Sequence, residues 1–332
     1  MDDDISKRKD SLPFGVLSNV SIYLIYCCKG DVVKKIIVSG LINIETTVAV
    51  GKFPVEYYPV DYNFFGIRTG VSGVGMNVAR ALKTLGSNPV LLSITSKDFY
   101  GDIIANELNS LDIKNNLLPM LESTPQSVIF YDDEGKRRIN LDLKNIQNML
   151  YPVEPAKELL SDTSLAVVCN INFSRGLLRF YRDKGVAVAT DVHIINNIYD
   201  EYSKDFLQSA NILFLSNEKI IGKERDFMNE LIEAYNNEII VIGMGDKGAL
   251  MYVRKNNSLI EYPAQKTRAV INTVGAGDAL FSCFIHYYNK YENPYDAIQK
   301  SILFASYKIG DTGAANGFLS EKELEKLQSG KS

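Results

Sequence analysis

Beyond Pro155 the chain alternates short, β-branched apolar runs with stretches of helical periodicity, and this alternation limits its fold more than any other feature. Leu165–Cys169, Val186–Thr190, Ile212–Leu215, Glu238–Ile242 and Ala249–Arg254 read as strands, with helices over Arg175–Asp183 and Asp226–Tyr235. Ile36–Val38 and Pro89–Thr95 are further buried strands, and helices are expected over Asn77–Leu85, Tyr100–Leu111, Asp278–Asn289 and Tyr295–Ile309. Ser320 and Glu323 form a capping box that starts a terminal helix. Strands apolar on both faces need helices above and below them, so the pattern predicts a three-layer α/β/α sandwich around a mostly parallel sheet. Two pairs of extended segments, at about 45–69 and 126–142, have no helix between their members. The second pair is joined by Asp132-Asp133-Glu134-Gly135, a hairpin signal. They predict a small β-sheet lid on the main body.

Residues 1–32 do not share this pattern and read as an N-terminal extension to a domain covering 33–332. Their apolar run, Ser21 to Cys28, is too short to span a bilayer. Asp2-Asp3-Asp4 and Tyr26-Cys27 supply neither the basic start nor the small residues of a secretory signal. One expectation is that translation naturally begins at Val33; an extra strand or hairpin is the other.

A net charge of −4 provides no basic field for nucleic acid or an anionic membrane. The four cysteines have no zinc or disulfide spacing, which suits reduced thiols in a cytoplasmic protein. With only His193 and His286, the chemistry should rest on carboxylates, amides and backbone rather than on histidine. His286 reads as a packed helix residue.

The stretch Val270 to Ile285 carries the sharpest chemical signal. A β-branched run, Ala269–Ile271, meets Asn272-Thr273-Val274-Gly275-Ala276-Gly277-Asp278, and a strongly apolar helix follows. Small residues let the backbone approach a ligand, and the first amides of a helix lack intrahelical acceptors, so they seat an anion. Asp278 in that first turn reads either as a cap or as a general base. Gly70-Val71-Ser72-Gly73-Val74-Gly75 before a helix reads as a substrate loop using backbone amides and Asn77, as a plain turn, or as part of a dinucleotide-binding unit. Gly245-Asp246-Lys247-Gly248 reads as a hairpin turn or as backbone passing close to nucleotide phosphates. No Gly-x-x-x-x-Gly-Lys-Ser/Thr occurs, which excludes a P-loop. Asn217-Glu218 stands at a strand end, where open α/β sheets bind ligands.

Taken in order, Ser72-Gly73-Val74-Gly75-Met76-Asn77, Asn217-Glu218, Gly245–Gly248 and Gly275–Asp278 resemble the motifs of the ribokinase-like (PfkB) carbohydrate kinases, from about Lys34 to Leu319. The resemblance implies an ATP-dependent kinase with Mg²⁺ that moves the γ-phosphoryl group to a hydroxymethyl of a sugar or nucleoside. It implies Asp278 as base and the amides of Gly275, Ala276 and Gly277 as anion hole. It places Glu45, Gly73, Gly75, Asn77 and Asn172 at the substrate. Asn217, Glu218, Gly245, Asp246, Gly248, Thr273, Ala305 and Gly313 fall on the nucleotide, with magnesium-bound waters near Asn217 and Glu218. It departs at Asn272, where an acidic residue is usual and where the family shapes a monovalent-cation site, which leaves that cation requirement open. Ile220 stands where Asn-x-x-Glu would have its Glu, and Glu45 where Asp is common. The exposed lid predicts a homodimer. Rival readings are a non-catalytic sugar or nucleotide sensor on the same fold and an NAD(P)-binding oxidoreductase. Ribose, fructose, a sugar phosphate, adenosine and pseudouridine all suit the motifs as acceptor.

Overall fold

The apolar runs do become strands of one sheet, and their order follows from how the chain crosses it. A computed structural model describes residues 35–330; the extension expected over 1–32 lies outside the described residues. The chain opens with β1 (Lys35–Ser39), β2 (Asn43–Ala49), β3 (Ile67–Ser72), α1 (Val74–Thr84), β4 (Asn88–Thr95) and α2 (Phe99–Ser110). Next are β5 (Lys114–Pro119), β6 (Gln126–Tyr131), β7 (Arg137–Asp142), α3 (Val153–Glu158), β8 (Thr163–Val168) and α4 (Arg175–Asp183). Then come β9 (Ala187–Ile194), α5 (Lys204–Ser209), β10 (Ile212–Ser216), α6 (Glu224–Ala234), β11 (Ile239–Gly243), β12 (Ala249–Val253) and β13 (Ser258–Tyr262). The helices α7 (Ala276–Tyr291), α8 (Pro294–Lys308) and α9 (Glu321–Gln328) complete the described chain.

Nine strands form the large sheet in the order β13-β12-β11-β10-β9-β8-β1-β4-β5. All its pairs are parallel except β11–β12 and β12–β13. One apolar cluster joins it to α1, α2, α7, α8 and α9 through Met76, Ile104, Phe284, Phe304 and Leu324. A second cluster joins the opposite face to α3–α6 through Ala156, Leu177, Phe206 and Met228. The three-layer sandwich is therefore present. Burying each such large side chain contributes roughly 1.5–3 kcal/mol.

Four strands, β3-β2-β6-β7, make a separate small sheet. Its hairpin β6–β7 turns at Asp132, whose Oδ1 accepts the amides of Glu134 (3.1 Å) and Lys136 (2.8 Å). Two sequence expectations shift, and one strand is unexpected. Tyr62–Gly66 lies outside any strand, because a turn closes from the Asn63 carbonyl to the Gly66 amide. Ala269–Ile271 forms no strand, and the Ile271 amide is used by the Ile309 carbonyl at 2.8 Å. The edge strand β5, Lys-Asn-Asn-Leu-Leu-Pro, is too polar to have been read as one.

Candidate active site

The strand order reverses beside β1, and that switch point is where an open α/β sheet leaves a crevice at its carboxyl edge. Backbones meet there without side chains between them. A Cβ on Gly75 would stand 2.5 Å from the Gly40 carbonyl carbon, and one on Gly40 2.8 Å from Gly75 Cα. Gly73 has φ +102°, and its Cβ would stand 2.6 Å from the Leu41 carbonyl oxygen. The Gly75 amide donates to that carbonyl at 3.0 Å. Gly73 and Gly75 thus seat α1 against the end of β1, and the Gly75 amide is taken within the protein rather than offered to a substrate. The dinucleotide reading fails here for a topological reason. The strand leading into this turn is β3, which pairs antiparallel with β2 in the small sheet, so no parallel βαβ unit exists.

What α1 delivers is Asn77, buried at the edge of the crevice. Its Nδ2 donates to Asp278 Oδ2 at 2.7 Å. The Ser72 hydroxyl lies 3.2 Å from Asn77 Oδ1 and 3.0 Å from Glu45 Oε2, both acceptors for its single proton. Glu45, Asn77 and Asp278 are thereby assembled from β2, α1 and α7 through Ser72. Asp278 stands in the first turn of α7, whose N-cap Gly275 is left-handed at φ 76°. Burial raises the Asp278 carboxyl, the Asn77 bond and His193 pull it down, Asp191 pushes it up and Lys308 lowers it; the balance lies above the ordinary Asp value. Glu45 is also raised, chiefly by burial and against the bond from Ser72.

The turn before Asp278 offers amides. The Ala276 amide is drawn to the Thr273 carbonyl at 3.2 Å, while those of Gly275, Gly277 and Asp278 have no acceptor among the described residues. The unpaired amides of this turn are therefore those of Gly275, Gly277 and Asp278, while that of Ala276 is shared with Thr273. Packing fixes the turn from below: Phe281 and Phe284 of α7 sit edge-on to Phe214 of β10, with centroids 5.0 and 5.2 Å away.

The neighbouring strand ends supply further polar groups. Asn217, just past β10, donates to Glu224 Oε1 at 2.7 Å. Burial raises Glu224, but the Asn217 amide and the backbone amides of Glu224 and Gly222 outweigh it and hold the carboxyl below its usual range. A carboxylate from the first turn of α6 thus stands beside Asn217, while position 220 is Ile. Glu218 meets Arg137 of β7 at 3.1 Å. Arg137 also donates to Thr273 Oγ1 at 2.9 Å, and Arg68 of β3 to Thr312 Oγ1 at 2.6 Å. Ile129 of β6 packs on Val274 and Ala314. The small sheet is thus laid over the turn that leads into Asp278.

Gly245 and Asp246 lie exposed in a single helical turn after β11. Gly248 has φ +104°, and a Cβ there would stand 2.0 Å from the Tyr262 carbonyl oxygen. Ala305 is on α8, and Gly313 turns its carbonyl to Lys308 at 2.7 Å. Asn172 stands outside the Asp278 network. Its Nδ2 donates to the Gln147 carbonyl at 2.6 Å and its Oδ1 accepts from Arg175 at 3.1 Å. Sequence reasoning missed Asp191, His193, Arg137, Glu224 and Lys308. Asp191 could have been found, since it follows the strand run Val186–Thr190 at the carboxyl edge. A depression of about 440 Å³ beside Lys35, Lys114 and Glu158 opens at the opposite edge of the sheet and is no part of this site.

The donor set suits Mg²⁺. Asn217, Glu224 and the nearby strand ends present hard oxygen donors, and among the described residues no three acidic, His or Cys side chains form a cage of their own. Such a site fits a metal that keeps its waters and arrives with phosphates.

The chain matches the family described as pfkB family carbohydrate kinase over residues 33–322. It is 25% identical over 311 residues to the deoxyribokinase of Salmonella typhi, covering 89% of this chain and 98% of that one. Among solved structures it is similar to the microbiome-derived acarbose kinase Mak1, with a TM-score of 0.81, 21% identity, and coverage of 90% and 99%. It is also similar to the Arabidopsis thaliana ribokinase complexed with ribose and ATP, with a TM-score of 0.70, 17% identity, and coverage of 89% and 98%.

Proposed function

The chain belongs to the pfkB family of carbohydrate kinases, and on that premise we propose that it moves the γ-phosphoryl group of ATP to a hydroxymethyl of a sugar or nucleoside with Asp278 as general base. That it is a carbohydrate or nucleoside kinase follows from the family and the relatives' activities. The observation that carries the mechanism is the anchoring of one Asp278 oxygen by Asn77 at 2.7 Å, at the mouth of a helix with free amides. The other oxygen is left for the acceptor hydroxyl. Asp278 takes the hydroxyl proton while the oxygen bonds to the γ-phosphorus. The bond from that phosphorus to the bridging oxygen breaks, and ADP departs with the electron pair. A carboxyl raised by burial is a stronger base than a solvated one, and fixed amides meet the charge on the moving phosphoryl group. Glu45 holds acceptor hydroxyls. Asn217 and Glu224 would hold the waters of Mg²⁺, which supplies charge neutralisation on the phosphates when bound.

The test is Asp278→Asn, which keeps the Asn77 contact geometry and removes the base. It should lose about 10²–10⁴-fold in kcat with an unchanged melting temperature; near-normal turnover would remove Asp278 from the chemistry. An ATP-consumption screen over pentoses, hexoses and nucleosides separates this reading from a sensor, which would bind without turnover.

Two wider proposals accompany it. The small sheet exposes Ile67, Val128, Ile139 and Leu141, and the loop before β3 exposes Tyr57, Tyr58, Tyr62, Phe64 and Phe65. We propose that a second copy covers this surface, a homodimer whose mass light scattering would report; a monomer at micromolar concentration would refute it. We also propose a cytoplasmic location, supported by buried free thiols at Cys169 and Cys283. No described helix is long and apolar enough to cross a membrane. Recovery in a membrane or secreted fraction would contradict this placement.

A further inference from the structure

Lys308 ends α8 with no exposed surface. Its Nζ donates to the Val274 carbonyl and, at 2.7 Å, to that of Gly313. Val274 immediately precedes Gly275, the left-handed residue that begins α7. Gly313 precedes Ala314, whose carbonyl oxygen lies so close that a Cβ on Gly275 would stand 2.4 Å from it. The ammonium therefore clips together the two backbone segments that set the free amides. Asn272 braces the same turn, its Oδ1 accepting the Val274 amide at 2.8 Å. Asp278, Glu45 and Asp311 favour the charged form of the lysine, and Arg137 opposes it.

We propose that the Lys308 ammonium is a built-in monovalent cation, a positioning residue that holds the anion-seating turn and lends it positive charge, so that turnover needs no soluble alkali ion. The proposal rests on the kinase reading above. An alkali ion held by backbone oxygens in this place would need the carbonyls of Val274 and Gly313, and those are already bonded to a tethered cation. The residue that would add negative charge to such an ion site is a neutral Asn272, so the donor set present does not fit a bound potassium ion. Burying an ammonium is unfavourable unless it is hydrogen-bonded and its charge is answered; here two carbonyls accept from Nζ, and Asp278, Glu45 and Asp311 offset part of the burial cost.

The experiment compares wild type with Lys308→Ala in potassium, ammonium or choline chloride at equal ionic strength, by turnover and by melting. Wild type should turn over equally in all three, within about twofold, and melt at the same temperature. Lys308→Ala should lose about 10²-fold in kcat in choline, more than it changes either KM, because the turn that meets transition-state charge is loosened. Potassium or ammonium should restore about tenfold of that loss and raise its melting temperature by several degrees over choline, as a ligand of the folded state does. A wild type that depends on potassium, a folded Lys308→Ala with normal kcat in choline, or one that neither recovers nor melts higher would each overturn the proposal. If Lys308→Ala does not fold, the wild type decides through its pH profile. Burial pulls Lys308 down to about 8, so kcat should fall as pH rises through that value. Over the same range the unfolded chain binds more protons at this residue than the folded one, so its contribution to stability improves with pH. Activity and stability moving in opposite directions is the expected result; kcat level across that range would overturn the proposal. No turnover by wild type with any acceptor would fail the kinase reading, while the melting comparison still tests the lysine.

Discussion

The two halves of the candidate site are held by opposite means. On the body side backbone meets backbone: Gly275 against Ala314 at the turn before α7, Gly75 against Gly40 at the start of α1, with a buried ammonium between the carbonyls of Val274 and Gly313. On the lid side, β7 is exposed along its whole length and meets the body through Arg137, with Arg68 and the small cluster at Ile129 beside it, while Ile44 of β2 and Val71 of β3 root the sheet in the main apolar cluster. Close backbone packing tolerates no adjustment, whereas exposed arginine contacts are made and broken at small cost. The turn before α7 is therefore locked in place, while the outer strand of the small sheet keeps room to adjust.

Glycine substitutions should separate the two sides most sharply. Gly275→Ala adds a methyl 2.4 Å from a carbonyl oxygen at φ +76°, which should cost about 2–4 kcal/mol and show as a large fall in denaturation midpoint. Gly135 of the lid hairpin has φ +82° with open space around it, so Gly135→Ala should cost only about 1 kcal/mol. Equal losses would erase the contrast. Next in size is Asn77→Ala. The Asn77 bond lowers the Asp278 carboxyl, so without it the base stays protonated to higher pH. The acid limb of the kcat profile should move upward, with about a tenfold loss at neutral pH; an unmoved limb would show that Asp278 does not govern it. The smallest effect is expected at Arg137→Ala. The Arg137–Glu218 pair is half-exposed, and its loss of about 0.2–1 kcal/mol should raise the KM for ATP a few-fold with stability nearly unchanged. A collapse in stability would make the lid part of the rigid body.

The same contrast governs how far the chain could be read from its letters. Strands buried on both faces and a helix start marked by Gly275–Gly277 are local facts, and they stand where the pattern placed them. Glu224 could not be paired with Asn217 in advance, because the loop between β10 and α6 carries no periodicity to set its register. Arg137 points across to Thr273, a contact fixed only by how two sheets are stacked. Lys308 did leave a trace. It continues the buried stripe Ala297, Ser301, Phe304 at helical spacing, so a lysine there had to be buried with partners. A polar letter at a helix end simply reads more readily as a solvated one.

Gly40, Leu41 and Ile42 are all that separate β1 from β2, and Gly73 alone separates β3 from α1. The small sheet thus leaves the body and returns to it within a few ångströms, with the Leu41 carbonyl bonded to the Gly75 amide across the gap. A clasp hinged this tightly cannot tilt without turning the first coil of α1, and that coil holds the Asp278 carboxylate through Asn77. On the mechanism proposed above, closure over a guest and alignment of the base would then be one mechanical event, and a molecule too small to draw the clasp shut should leave the phosphate donor unspent.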